Sequence, residues 1–408
     1  MLFIYDFIIF CLDKILSFYS LFNHKAKKLI DGRKKTFDYL NNNNFEGLSI
    51  IWIHVSSVGE FEQAKPIIEF IREKYKENKV FITYFSSSVE KSIENYKNKD
   101  YSCYLSSDRK NYIKKFYNQL KPKLILIIKY EFWYHLINEA RLRNIPIISV
   151  VSIFRKSQIY FKYFGKFFLK KLKNVSYFLV QNNKSKNLLL KNKITNVKTV
   201  GDTRFDRVFC IYQQSKKYSR IEKFIGNSKC IVIGSSWKSD IKILRNTIKS
   251  DLSSNKYIIA PHNVKESEYR FLENNFINDN IRYSNLTKNK INKKILIIDN
   301  LGMLSSIYRY GNIAYIGGAF EGTLHNTLEA AVWNIPIIYG QNKNNKKFKE
   351  ATDLSNLKIA FPIKNSSDFK TTIKTLINNN RLGKGGEKYV TARTGASQKI
   401  EKYIKKYL

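Results

Sequence analysis

Apolar and polar positions along this chain fall into two alternating series. Leu48–Val55 is a continuous apolar run of strand length, and Phe61–Tyr75 carries Ala64, Ile67, Ile68 and Ile71 at helical spacing. Further strand-like runs follow at Lys79–Phe85, Lys123–Tyr130, Ile145–Val151 and Ser176–Gln181, with helical stretches between them. The series then restarts at Lys229–Trp237, Lys256–His262, Lys294–Asp299, Ile313–Gly318 and Ile335–Gly340. Short apolar strands alternating with helices predict parallel sheets covered on both faces. Two such series, separated near the polar stretch Gln213–Lys223, predict two Rossmann-like α/β domains with a cleft between them. In such sheets ligands lie beyond the carboxyl ends of the strands.

The first 22 residues break this pattern. "MLFIYDFIIFCLDKILSFYSLF" is strongly apolar but carries Asp6, Asp13 and Lys14, and His24, Lys25, Lys27 and Lys28 follow. A spanning helix wants roughly 20 apolar residues with few charges. The stretch lacks the basic start and small-residue cleavage site of a secretory signal. An apolar helix with a basic flank reads as a membrane anchor, spanning or lying in the interface. The competing reading is an N-terminal core helix. The expected organisation is an anchor with its basic flank over 1–34, a first domain over 35–212 and a second over 213–408. The terminal helix of the second is expected to pack back on the first.

A formal net charge of +39 in 408 residues points to an anionic partner, or to a lysine-rich compositional drift, since the lysines are spread along the chain. A basic nucleic-acid-binding or membrane-scaffold protein would gather basic and aromatic residues on one element. No such gathering is present, and nucleic acid is not expected as a partner. The four cysteines and five histidines show no metal-ligand spacing, so neither a metal nor a cofactor is expected.

Candidate chemistry sits at the predicted strand ends. In "YIGGAFEGTLHNTLEAAVWNIPIIYG", Gly317 and Gly318 admit close backbone approach, and a helix beginning near Leu324 offers free N–H groups to a phosphate. Asn326, Thr327, Leu328 and Glu329 follow, and the Glu329 carboxylate suits a ribose diol. The alternative is a plain strand–helix turn capped by Asn. In "HVSSVGEFEQAKPII" a small-residue turn leads to Glu60 at a helix mouth, either an ionised base or an acid that only complements the helix dipole. Glu131 follows an apolar strand, as a catalytic acid, a partner of a base or a cap. Arg204 and Arg207 of "GDTRFDRV" either hold an anion or are simply solvated. Pro261 and His262 end a strand, and Gly302, Met303 and Leu304 open a helix before the glycine pair.

These stretches are collinear over roughly residues 35–355. Together they resemble the 3-deoxy-D-manno-oct-2-ulosonic acid (Kdo) transferases of lipopolysaccharide assembly. The resemblance implies a GT-B glycosyltransferase fold, a membrane-associated N-terminus, CMP-Kdo as donor and a lipid A precursor (lipid IVA) as acceptor. It implies work at the cytoplasmic face of the inner membrane. Glu60 falls on the family's proton acceptor, and Glu131 and Arg204 on groups that stabilise the transition state. Lysine is usual at the Arg204 position, and the two cations differ in donor geometry. Pro261, His262, Gly302, Met303, Leu304 and Asn326 to Glu329 fall on the CMP-binding segments, and many members carry arginine in place of His262. CMP has one phosphate, so no divalent cation is needed to manage a diphosphate. The nearest enzyme alternative is another GT-B nucleotide-sugar transferase with a lipid acceptor.

Overall fold

Two seven-stranded sheets, each wholly parallel, organise the chain. The computed structural model describes residues 1–287, 291–379 and 381–408. It divides into two units. Unit 1 comprises Met1–Arg207 and Arg393–Leu408, and unit 2 comprises Val208–Ala392.

In unit 1 the strands are β1 (Ser49–Val55), β2 (Asn78–Tyr84), β3 (Tyr101–Tyr104), β4 (Leu124–Ile128), β5 (Ile147–Ser152), β6 (Tyr177–Val180) and β7 (Val197–Thr199). Their order is β3-β2-β1-β4-β5-β6-β7. Alternate residues of β1 feed opposite faces. Ile50 and Trp52 join one core cluster, while Ile51, Ile53 and Val55 join the other. The second cluster is closed by Phe61, Ala64, Ile67, Ile68 and Ile71 of helix α3 (Val58–Lys74) and by Ile400 and Ile404 of the Ala396–Ile404 helix. That last helix is fastened at its N-terminus by Asp206, which accepts from the Ser397 N–H (2.7 Å) and hydroxyl (2.8 Å). The segment after Ala392 thus belongs to unit 1.

In unit 2 the strands are β8 (Cys230–Ser236), β9 (Lys256–Pro261), β10 (Asn280–Arg282), β11 (Ile295–Ile297), β12 (Ile313–Ile316), β13 (Ile337–Gly340) and β14 (Ala360–Ile363). Their order is β10-β11-β9-β8-β12-β13-β14. The chain passes from unit 1 to unit 2 inside the Thr203–Gln213 helix, not in the polar stretch after it, where Ser219–Ile225 is itself helical.

The N-terminal stretch forms helix α1 (Leu2–Tyr19), followed by α2 (His24–Asn41). The expected break at residue 34 falls inside α2, whose Ala26, Leu29, Thr36 and Leu40 are buried. None of α1 is buried, and Phe3, Phe7, Ile15 and Phe18 point outward. Its polar residues face the unit instead. The Tyr5 hydroxyl donates to Asp108 (2.6 Å), Asp6 meets the His135 ring (2.6 Å), and Asp13 takes Arg109 Nε and the Ser107 hydroxyl (both 2.7 Å). Two of the three charges that interrupt the apolar run, Asp6 and Asp13, are therefore docking points. No helix among the described residues is long and apolar enough to cross a membrane.

Candidate active site

In unit 1 the chain leaves β1 through Ser56 and Ser57 and enters α3, with the Ser57 side chain capping the Glu60 N–H (3.4 Å). Glu60 is 5% exposed. Its Oε2 accepts from both the Ser56 N–H and the Ser56 hydroxyl, each at 2.6 Å. No hydrogen bond to Oε1 is seen among the described residues, so the carboxylate is anchored through one oxygen only.

Glu131 comes three residues after β4, following Lys129 in the left-handed region (φ 64°). Burial pushes its carboxyl above the ordinary range, and the charge of Glu60 adds to the rise. The Trp133 indole N–H (2.5 Å) and the Ser56 hydroxyl pull the other way. Two acids placed far apart in sequence are thus brought together over Ser56.

Arg204 is committed to a neighbour that the sequence reading did not single out. Its Nε (2.9 Å) and Nη2 (2.8 Å) both donate to Asp202 Oδ2. Asp202 Oδ1 receives Gln63 Nε2 at 2.8 Å, one helical turn from Glu60 on α3. The Thr203 hydroxyl bonds the Gln63 carbonyl (2.7 Å). Burial would raise the Asp202 carboxyl, but Arg204 and Gln63 outweigh it and hold the group below its ordinary value. Arg204 is thereby a cation held in place by Asp202, with its side chain partly exposed. Arg207 pairs with Glu69 (3.0 Å).

In unit 2 the strand ends of β8, β9 and β12 meet. Gly317 is required by this packing, since a Cβ there would lie 2.3 Å from the Ser235 carbonyl oxygen and 2.7 Å from Asp240 Oδ2. Asp240 ties the segments together, accepting from Trp237 N–H (2.8 Å), Gly318 N–H (3.0 Å) and the Tyr315 hydroxyl (2.7 Å). Pro261 ends β9, and His262 next to it stacks over two rings that lie edge to edge, Trp237 (4.6 Å, 18°) and His325 (4.3 Å, 27°). Trp237 Nε1 donates to His325 Nε2 at 2.9 Å, so the proton of neutral His325 sits on Nδ1. Burial, with His262 beside it, holds His325 down to about 4, and burial lowers His262 as well.

Asn326, next to His325, begins a second cluster. Its Nδ2 donates to Glu329 Oε1 (3.1 Å), and Glu329 Oε2 receives the Ser305 hydroxyl (2.6 Å). Gly302 (φ 86°), Met303 and Leu304 lead into the Leu304–Ile307 turn that carries Ser305. Thr327 and Leu328 are buried beneath Glu329. The segments expected to hold a nucleotide thus meet in unit 2 through the His262–His325 ring contact and the Asn326–Glu329–Ser305 hydrogen bonds, while Thr327 and Leu328 are buried.

The expected helix from Leu324 is not formed. The loop turns through left-handed Gly318 and Gly322 around the Ala319–Glu321 turn, and helical residues begin only at Leu328 and end at Ala331. Asn326 does not cap it. Thr327 holds that position, and Asn326 Oδ1 instead accepts from Leu328 N–H (3.2 Å). One helical turn presents little dipole to a phosphate. Trp133, Asp202, Trp237, Asp240 and Ser305 are members of the two clusters that the sequence pattern does not single out. Asp240, three residues past a strand-ending turn, carried the signature of a capping acid. Among the described residues no three His, Cys, Asp or Glu side chains gather as metal ligands.

Residues 24–207 match the family described as 3-deoxy-D-manno-octulosonic-acid transferase (kdotransferase). Over 366 residues the chain is 25% identical to the 3-deoxy-D-manno-octulosonic acid transferase of Aquifex aeolicus, covering 87% of this chain and 94% of that one. The Haemophilus influenzae transferase of the same name is 22% identical, covering 98% and 97%. A bifunctional glycosyltransferase/methyltransferase of Fusobacterium nucleatum is 28% identical over 89% of this chain, which spans 58% of that longer protein. Among solved structures, a UDP-GlcNAc 2-epimerase from Neisseria meningitidis superposes with a TM-score of 0.58 at 15% identity, covering 88% of this chain and 100% of its own. That likeness concerns the fold, two parallel-sheet α/β domains of the kind GT-B glycosyltransferases share.

Proposed function

The chain belongs to the Kdo transferase family, and from that premise we propose that it is an inverting glycosyltransferase moving Kdo from CMP-Kdo to a lipid A precursor. The observation that carries this reading is the Glu60 carboxylate, buried and anchored to Ser56 through one oxygen only.

Glu60 Oε1 takes the proton of an acceptor hydroxyl as its oxygen bonds to the anomeric carbon and the bond to the CMP phosphate breaks. Positive charge develops at that carbon, where the Glu131 carboxylate stabilises it. Arg204, held by Asp202, supplies fixed positive charge toward the anionic sugar or the departing phosphate. Glu329 accepts from the ribose hydroxyls, and the Trp237–His262–His325 stack offers flat apolar surface beside it. A monophosphate leaving group needs no metal in this scheme.

We further place the acceptor at the cytoplasmic leaflet of the inner membrane. The outward apolar side of α1, docked through Tyr5, Asp6 and Asp13, suits a helix lying in the interface rather than crossing it. The test is incubation with CMP-Kdo and lipid IVA, with and without EDTA, reading product mass in Kdo units. Product in both arms, formed at least about a hundredfold more slowly by Glu60→Gln, supports the reading. Absence of product from the wild-type chain sinks it.

A further inference from the structure

Away from Glu60, unit 1 holds a cavity of about 440 Å³ under α1, walled by α2 and by the segment that follows β3. Four cations line it, Lys14, Arg33, Lys34 and Arg109, against one carboxylate, Asp13. That carboxylate is already engaged, since Arg109 Nε and the Ser107 hydroxyl both reach its Oδ2 at 2.7 Å. Arg33 is left 3.8 Å from Asp13 with a side chain only 10% exposed. Its Nε is buried and has no hydrogen-bond partner among the described residues, and the same holds for the hydroxyl of Ser106, also in the wall. A buried cation without full pairing is costly, and an orphaned donor beside it adds to the cost.

Both deficits are met by the same thing, an anion with several acceptor oxygens. The cavity is also apolar on one side. Phe10 and Phe37 line it, and Phe10 is 45% exposed on α1, continuous with the outward run of Phe3, Phe7 and Phe18. An occupant of this shape has an anionic head and a hydrocarbon tail that leaves along α1.

We propose that this cavity binds the phosphate of one anionic phospholipid, with Arg33 Nε and the Ser106 hydroxyl as donors and the acyl chains laid along α1. The site deepens the membrane reading above by giving it a discrete, one-to-one contact in addition to the diffuse attraction of lysines for a charged leaflet. Guanidinium and hydroxyl donors match phosphate oxygens in geometry as well as charge.

The full-length protein is titrated calorimetrically with water-soluble dihexanoyl phosphatidic acid and with dihexanoyl phosphatidylcholine, alongside Arg33→Met and Arg33→Lys. The acid lipid binds one-to-one and at least tenfold tighter than the choline lipid, and Arg33→Met loses about tenfold or more in affinity while Arg33→Lys retains part. Arg33→Met also unfolds no earlier than wild type without lipid, because methionine fills the space without a buried charge. Equal binding of the two lipids, or equal binding by Arg33→Met, overturns the site. Flotation with phosphatidic acid vesicles separates the two readings. Short-chain lipid bound without flotation keeps the site and removes the membrane role of α1.

Discussion

Glu60 and Glu131 are coupled through one hydroxyl. Ser56 Oγ lies 2.6 Å from Glu60 Oε2 and also faces Glu131, whose carboxyl is raised first by burial and then further by the Glu60 charge. Glu60→Gln keeps the shape and the Ser56 contact but removes the base, so turnover falls by roughly 10²–10⁴ while CMP affinity, measured by calorimetry, stays unchanged. Glu60→Gln also removes a charge that raises Glu131, so the Glu131 carboxyl, followed by NMR, titrates at lower pH than in wild type. Identical Glu131 titrations in the two proteins would show that the two acids act independently.

Glu329 holds Ser305 and Asn326 together and is the proposed ribose acceptor. Glu329→Ala weakens CMP binding by about 1.5–3 kcal/mol, the value of a hydrogen bond to a charged group. Glu329→Gln keeps the Ser305 contact and loses less. Calorimetry that finds identical CMP affinity in all three proteins removes Glu329 from the site.

Gly317→Ala drives a Cβ against the Ser235 carbonyl and Asp240, at 2.3 and 2.7 Å, and both are held from other directions. The expected loss is about 1–3 kcal/mol of stability, read as a lower urea midpoint. Nucleotide binding weakens with it, because the same backbone positions Trp237.

The His325 value near 4 lies below the ordinary 6.5. The folded state therefore binds fewer protons than the unfolded state between these values. The stabilisation is full above pH 6.5 and is lost as pH falls toward 4, by at most about 3 kcal/mol. Protonated Nε2 would also face the Trp237 N–H donor-to-donor. Urea midpoints measured from pH 7 to 4 fall more steeply in wild type than in His325→Gln. Parallel curves would mean that the ring accepts a proton without strain.

Deletion of residues 1–22 leaves unit 2 folded and binding CMP. Unit 1 loses stability by about 2 kcal/mol or more, because Asp108 gives up the Tyr5 hydroxyl and Arg109 gives up Asp13. The truncated chain moves to the soluble fraction and works on detergent-dispersed acceptor. Collapse of CMP binding in the truncated chain would contradict this.

The ten strands visible as apolar runs are the interior ones, and the four that were not visible, β3, β7, β10 and β14, are the four sheet edges. The reason is physical. Interior strands are buried on both faces, whereas the edges keep partly exposed residues such as Lys198, Arg282 and Pro362 and run only three or four residues. The site was legible where a strand end put an acid or small residues in the local sequence, as at Glu60 and Gly317. It was illegible where a partner arrives from another strand, as Ser56 does for Glu131 and Trp237 for His325. The helix read from Leu324 failed because leucines and Asn at helical spacing cannot override two left-handed glycines just before them.

The return of Arg393–Leu408 to unit 1 has a consequence for synthesis. Ile400 and Ile404 fill the same core as Ile67 and Ile68, yet the ribosome makes all of Val208–Ala392 before them. At ordinary translation rates the nascent first unit waits on the order of 10–40 s with an apolar groove beside α3 open to solvent. That interval is when holdase chaperones have something to grip, and when premature termination between residues 207 and 396 leaves a complete sheet with that groove still open.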